Sequence, residues 1–198
     1  MGNQWHERFG SENYVYGEEP NQFIEAQAYR LENGKKIAAF AEGEGRNAIY
    51  LARKGHIVTA YDYALNGLKK TEALAERFDV QVKTEQKDLI HDSVPIEKFD
   101  GAIMVYGHFA KNDQKIVFDK LVLAVKPGGL IMLEVYSEDQ IRYGTGGPKT
   151  VDMLYDPSDL LKWIKEYNVL HFFYGEQERV EGELHTGVGH VVQAIFEK

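Results

Sequence analysis

The 198-residue sequence predicts an α/β domain: a doubly wound sheet of about seven strands with helices on both faces. Three observations carry this reading. Short strand-like runs alternate with helix-like segments almost from end to end. Two glycines, Gly43 and Gly45, stand where one strand-like run passes into a helix. The last two strand-like runs, 170–174 and 188–196, have no helix between them. A parallel pair needs a crossover of about a dozen residues or more, usually helical. The sheet is therefore expected to be mostly parallel, with its last strand reversed.

The elements follow in order. A helix is expected over 21–32, ended by Gly34, and a strand over 36–40. A helix over 46–54 stops at Gly55, and a strand occupies 57–61. The next helix, 64–78, sets Ala64, Leu68, Ala75 and Phe78 on one face. Residues 80–86 alternate apolar and polar, as an edge strand does. A buried strand is expected at 99–105, a helix at 114–125 and a strand at 130–136. Asp156 and Pro157 open a last helix over 159–167, with proline suited to a first turn. The polar, glycine-containing connection 175–187 reads as a loop on the same rim as the strands' carboxyl ends. The whole chain, 1–198, is expected to be one domain. Residues 1–34 would form a helical lid, and the glycine-rich segment around 137–157 a mobile insertion on the substrate side.

Composition narrows the function. Lys and Arg number 23 against 31 Asp and Glu, a net charge of -8. That disfavours a protein whose task is gripping nucleic-acid phosphates. With no cysteine, thiolate nucleophiles, cysteine zinc sites and iron–sulfur clusters are excluded. His185 and His190 alone are too few ligands for a metal site, so no metal is expected. The apolar runs fall short of the ~20 residues that span a bilayer, and residues 1–10 are polar. A cytoplasmic protein with no membrane partner, a monomer or homodimer, is the expectation.

The chemistry concentrates after the first strand. Gly43-x-Gly45-x-x-Ala48 lets the backbone approach a ligand at a helix N-terminus. Asp62 follows nineteen residues after Gly43, where a strand-end acid can accept both hydroxyls of a ribose. These features alone fit a dinucleotide as well. Glu42 and Glu44 argue against one, because a pyrophosphate would meet two like charges. S-adenosylmethionine, net positive, tolerates them. Asp88 and Leu89 suit an adenine, one accepting from its amine and the other covering its ring.

With 41–52 (AEGEGRNAIYLA), 55–62 (GHIVTAYD), Lys87-Asp88-Leu89, 99–105 and 123–130 (LAVKPGGL), the sequence resembles the class I S-adenosylmethionine-dependent methyltransferases. Within them it is most similar to small tellurite-resistance-type and thiopurine-type members, whose cofactor-covering N-terminal segment is matched by Trp5, Arg8, Phe9 and 14–17 (YVYG). The resemblance implies a Rossmann-like fold and S-adenosylmethionine as cofactor. It points to Tyr16, Gly17, Glu42, Gly43, Gly45, Asn47, Asp62, Tyr63, Asp88, Leu89 and Tyr106 as cofactor-binding. It also implies a small-molecule acceptor, with a soft thiol, selenium or tellurium nucleophile in view. Tyr106, His108, Arg179 and His185 are the substrate-side candidates, and His108 or His185 the candidate bases for a hydroxyl acceptor. Ala39 and Ala41 stand where many members carry an acid before the first glycine. The Asn/Asp-Pro-Pro-aromatic motif of enzymes that methylate nucleic-acid amines is replaced by Tyr106-Gly107-His108-Phe109. The alternatives are a catalytically silent module that binds the same cofactor or a nucleoside, and a nicotinamide-dependent oxidoreductase.

Overall fold

The computed structural model describes residues 2–11, 13–182 and 185–198. Its strands are β1 (Lys36–Phe40), β2 (Ile57–Asp62), β3 (Val82–Gln86), β4 (Phe99–Val105), β5 (Val125–Tyr136), β6 (Asn168–Glu181) and β7 (His185–Glu197). They make one seven-stranded sheet in the order β3-β2-β1-β4-β5-β7-β6. Neighbours from β3 through β5 are parallel, and β7 runs antiparallel to both β5 and β6. The helices are α1 (Gly2–Arg8), α2 (Gln22–Gln27), α3 (Arg46–Arg53), α4 (Leu65–Arg77), α5 (Lys111–Ala124) and α6 (Pro157–Ile164).

Strand β1 shows why its sequence reads as one apolar run. Successive side chains of a strand point to opposite faces, and both faces of this sheet are covered. Ile37 and Ala39 join a core with Phe23 and Ile24 of α2, Leu51 of α3 and Leu68 of α4. Ala38 and Phe40 join another with Val117, Phe118 and Leu121 of α5 and Leu160 and Ile164 of α6. Burying each Ile, Leu, Val or Phe side chain among these contributes about 1.5–3 kcal/mol. The alternating segment that ends in β3 lies at a sheet edge, half exposed, as its pattern predicts.

Some boundaries differ from the sequence expectation. Helix α2 is short: Asn21 caps it by accepting from the Ile24 N–H, and after Gln27 the chain tightens into a 3-10 turn at Ala28–Arg30. Strand β5 begins at Val125 rather than 130: Val125 pairs with Phe99, residues 126–129 bulge out opposite Asp100, and the register resumes with Leu130 on Gly101.

The largest difference concerns 175–187. It is not a loop: β6 and β7 stay paired from Tyr174 with Val192 out to Glu181 with His185, one long hairpin. The inward side chains there are Gln177, Arg179 and Glu181, so no apolar alternation announces the strand. The 137–157 segment folds into two 3-10 turns, Glu138–Arg142 and Val151–Met153, closed by a Ser137–Tyr155 bridge. Among the described residues no helix is long and apolar enough to cross a membrane.

Candidate active site

The carboxyl ends of β1, β2 and β4 open on a crevice of about 310 Å³ roofed by residues of the N-terminal segment. Tyr16, Gly17, Glu42, Gly43, Asn47, Asp62, Tyr63, Asp88, Leu89, Tyr106 and His108 all line it. Gly45 does not line it. It takes φ 91° at the N-terminus of α3, where a Cβ would come within 2.5 Å of the Thr71 hydroxyl, so its part is to let α4 close against the turn. Two non-glycine residues of its lining also sit at positive φ, Ala41 and Tyr106, each at 51°. They follow β1 and β4, and such backbone costs on the order of 1–3 kcal/mol, the strain expected where a chain is bent to serve a ligand.

The carboxylates of the crevice are held by the backbone. Asp62 Oδ2 accepts from the Gly43 N–H at 2.8 Å and Oδ1 from the Ala64 N–H at 2.7 Å. Burial pushes its carboxyl up to about 6 against those hydrogen bonds. Glu42 folds beneath the turn, and its Oε1 accepts from the Ala48 N–H at 2.7 Å. It supplies the acceptor that a glycine at the helix cap cannot, next to the positive end of α3. Burial raises Glu42 to about 7. Glu44 pairs with Lys70 at 2.7 Å and accepts from the Tyr16 N–H, fastening the N-terminal segment to the turn. Asn47 does similar work: its Oδ1 accepts from the Asn21 N–H at 2.9 Å. For Asp88, burial acts upward, but hydrogen bonds from His91 and from the Ile90 and His91 N–H groups prevail and hold it below its ordinary value. Its Oδ1 makes the turn, at 2.9 Å from Ile90 N, while buried Leu89 presents an apolar wall.

Arg46 was not singled out from the sequence, yet it lines this crevice. Its Nη2 donates to Glu181 at 2.7 Å, and its buried Nη1 has no partner among the described residues. A buried guanidinium nitrogen facing a ligand cavity calls for an anionic oxygen.

Beyond His108 lies a second chamber of about 980 Å³, walled by Trp5, Arg8 and Tyr16 on one side and by residues of the 140–153 segment on the other. Trp5, Tyr16 and His108 belong to both cavities. The His108 ring lies between Trp5, 5.4 Å away, and Tyr136, 5.9 Å away. Its Nε2 is buried without a partner among the described residues. Burial first, then the charge of Arg8, press its pKa down to about 3, so the imidazole is neutral at pH 7 and a poor proton acceptor. The expectation that His108 serves as a base near neutral pH does not fit this environment.

The sequence puts Arg179 on a rim loop as a substrate-side residue, but its side chain is 0% exposed and lines neither cavity. It lies over the Tyr136 ring at 4.8 Å, donates to the Tyr136 hydroxyl, and reaches the Thr145 carbonyl at 3.3 Å. It belongs to a buried polar network. Tyr106, stacked on Tyr136 at 4.5 Å, donates its hydroxyl to Glu134. Asn21 Nδ2 donates to Glu134 at 2.8 Å and Glu181 at 3.0 Å. Arg179 therefore positions two tyrosines and the wall of the second chamber. The backbone of His185 opens β7, and its side chain lies outside the described residues. Among the described residues no cluster of three or more metal-ligating side chains occurs.

Residues 37–129 match the family model of a methyltransferase domain. That match covers a little under half of the chain. The fold agrees. TehB from Haemophilus influenzae superposes with a TM-score of 0.76 at 14% identity, over 90% of this chain and 62% of that one. The chain thus spans less than two thirds of TehB's length. A protein studied for conversion of a disulfide bond into a thioacetal group during echinomycin biosynthesis gives 0.75 at 16% identity, over 100% of this chain and 88% of that one. Coclaurine N-methyltransferase, bound to N-methylheliamine and SAH, gives 0.68 at 12% identity, over 95% and 77%. Among curated protein sequences none is significantly similar to this chain.

Proposed function

We propose that this methyltransferase domain methylates a small molecule at a soft nucleophilic atom, sulfur or a heavier congener, seated in the second chamber. The donor would lie in the crevice with its ribose on Asp62, its adenine against Asp88 and Leu89, and its carboxylate on Arg46 Nη1. The residues fit that group: the crevice is rich in carboxylates that suit a cationic ligand, and it holds a buried guanidinium nitrogen lacking an acceptor. When bound, the donor supplies an already activated methyl group on a sulfonium. The chain's own residues then align and exclude water: Trp5, Phe9 and Tyr16 roof the crevice, and Tyr106, stacked on Tyr136 behind it, forms part of its wall. Holding two reactants in line can lower a barrier by about 7–11 kcal/mol in favourable cases.

The observation that carries the soft acceptor is the state of the junction. The titratable groups shared by both cavities are Tyr16 and His108. Burial raises the Tyr16 hydroxyl, and His108 is pushed down to about 3. Neither takes a proton readily at neutral pH, which disfavours alcohols and ammonium groups and suits a polarizable nucleophile that needs no base. A cytoplasmic enzyme acting as a monomer or homodimer, without nucleic acid or membrane, is part of the same proposal. The test is release of S-adenosylhomocysteine from matched aryl thiols, phenols and anilines. Turnover confined to thiols, or to selenium and tellurium species, is the expected result. Comparable turnover of phenols would contradict it.

A further inference from the structure

The chamber beyond His108 has a charge that the rest of the chain does not. The protein carries a net charge of -8, and the donor crevice is lined by Glu42, Glu44, Asp62 and Asp88. Among the described residues lining the second chamber none is acidic, and its two charged groups are Arg8 and Lys149. Arg8 Nη1 donates to the Tyr16 hydroxyl at 2.9 Å, and its guanidinium lies 4.7 Å from the Trp5 ring centre. Those contacts fix its direction and, among the described residues, leave most of its five N–H donors without a partner. Arg8 and Lys149 make no ion pair among the described residues. The hydroxyls of Thr145, Thr150 and Thr186 belong to residues on the same walls.

We propose that the methyl acceptor is an anion, a carboxylate or comparable oxyanion carrying its nucleophilic atom at the other end, held by Arg8 and Lys149. This deepens the reading of the second chamber as the acceptor's seat and depends on it. Arg8 stands beside the junction, so an acid group on it aims the far end of the acceptor past His108 toward the donor crevice. The transfer stays balanced. The nucleophile's lone pair forms the bond to the methyl carbon, and the sulfonium carbon–sulfur bond breaks. That electron pair stays on the sulfur of S-adenosylhomocysteine, and any proton on a thiol leaves to water. The anion also cancels the Arg8 charge that helps hold the His108 imidazole low.

Two thiol acids, 3-sulfanylpropanoate and 4-sulfanylbenzoate, each beside its uncharged amide, test this by calorimetric titration. S-adenosylhomocysteine is titrated first, and the acids then enter protein saturated with it. Each acid is expected to bind about tenfold more tightly than its amide, the scale of one charge-assisted contact. Arg8→Gln and Lys149→Gln should each erode that preference, and Lys149→Gln should do so without changing S-adenosylhomocysteine affinity. Because Arg8 also touches Trp5 and Tyr16, Lys149→Gln is the variant free of packing effects. In NMR the acid, and not the amide, should raise the His108 titration midpoint. Equal binding of acid and amide, no binding by either acid, or a preference that survives the double variant overturns the anionic acceptor. Failure of S-adenosylhomocysteine itself to bind strikes the donor-site reading instead.

Discussion

The crevice proposed for the donor and the chamber proposed for the acceptor share a wall of Trp5, Tyr16 and His108, yet they are built by different means. The crevice rests on strand ends. Its carboxylates are fixed by backbone N–H groups that the parallel sheet presents, as Asp62 is by Gly43 and Ala64. The chamber is closed by two 3-10 turns and a glycine-rich stretch, held from behind by a buried guanidinium rather than by a ladder. One is rigid and acidic. The other is a wall of loops whose charged lining is basic. A shared fold can therefore keep one ligand while loops beside it change the other.

This contrast can be broken at its joint. Glu181 receives Arg46 at 2.7 Å and Asn21 at 3.0 Å, tying the far end of β6 to the donor crevice. Glu181→Ala leaves Arg46 charged, buried and unpaired, which should cost about 3–5 kcal/mol of stability. Chemical denaturation measures it, and a loss under 1 kcal/mol would mean that the pair is dispensable. A smaller effect is expected at Gly182. It sits at φ 65°, and a Cβ there would come within 2.5 Å of the Tyr16 backbone carbon. Gly182→Ala should push the roof off both cavities and cost about 1–2 kcal/mol from the backbone conformation alone. Hydrogen exchange over residues 5–17 should then rise, and unchanged protection would show that the hairpin does not hold the roof.

The mildest expected effect is on pH. Asp62 and Glu42 have raised values, about 6 and about 7, so each takes up a proton as pH falls through that range. A proton on Asp62 removes the charge that a ribose hydroxyl would donate to, so donor affinity should fall between about pH 7 and pH 5, by at most tenfold per proton per unit. The same groups bind protons less readily in the unfolded chain. Their contribution to stability therefore decreases as pH rises through those values. Asp62→Asn should flatten the affinity profile, and an undiminished slope would place the titrating group elsewhere.

Much of the scaffold was legible because burial on both faces leaves an apolar signature, as in 36–40 and 99–105, whose boundaries match β1 and β4. The crevice was legible for a similar reason: Gly43, Asp62 and Leu89 sit where strands end, and strand ends can be located. The far hairpin was not, since its inward positions are polar and satisfy one another across the fold. Glu134, an acid inside the apolar run 130–136, was the available signal. A buried charge needs a partner, and its partners Asn21, Tyr106 and Gln193 lie far away in sequence. Arg179 was misplaced by the same error. The second chamber was legible in part: the 137–157 segment and His108 were expected on the substrate side, but not that Arg8 of α1 would face those turns, which only the fold brings together.

A titration of S-adenosylhomocysteine into wild type, Asp62→Ala and Lys149→Gln tests most directly whether donor and acceptor occupy two cavities of opposite charge. Loss of the Asp62 carboxylate should weaken binding by roughly ten- to a hundredfold, about 1.5–3 kcal/mol, while Lys149→Gln binds as wild type does. Wild-type affinity in Asp62→Ala, or an equal loss in Lys149→Gln, would contradict the division.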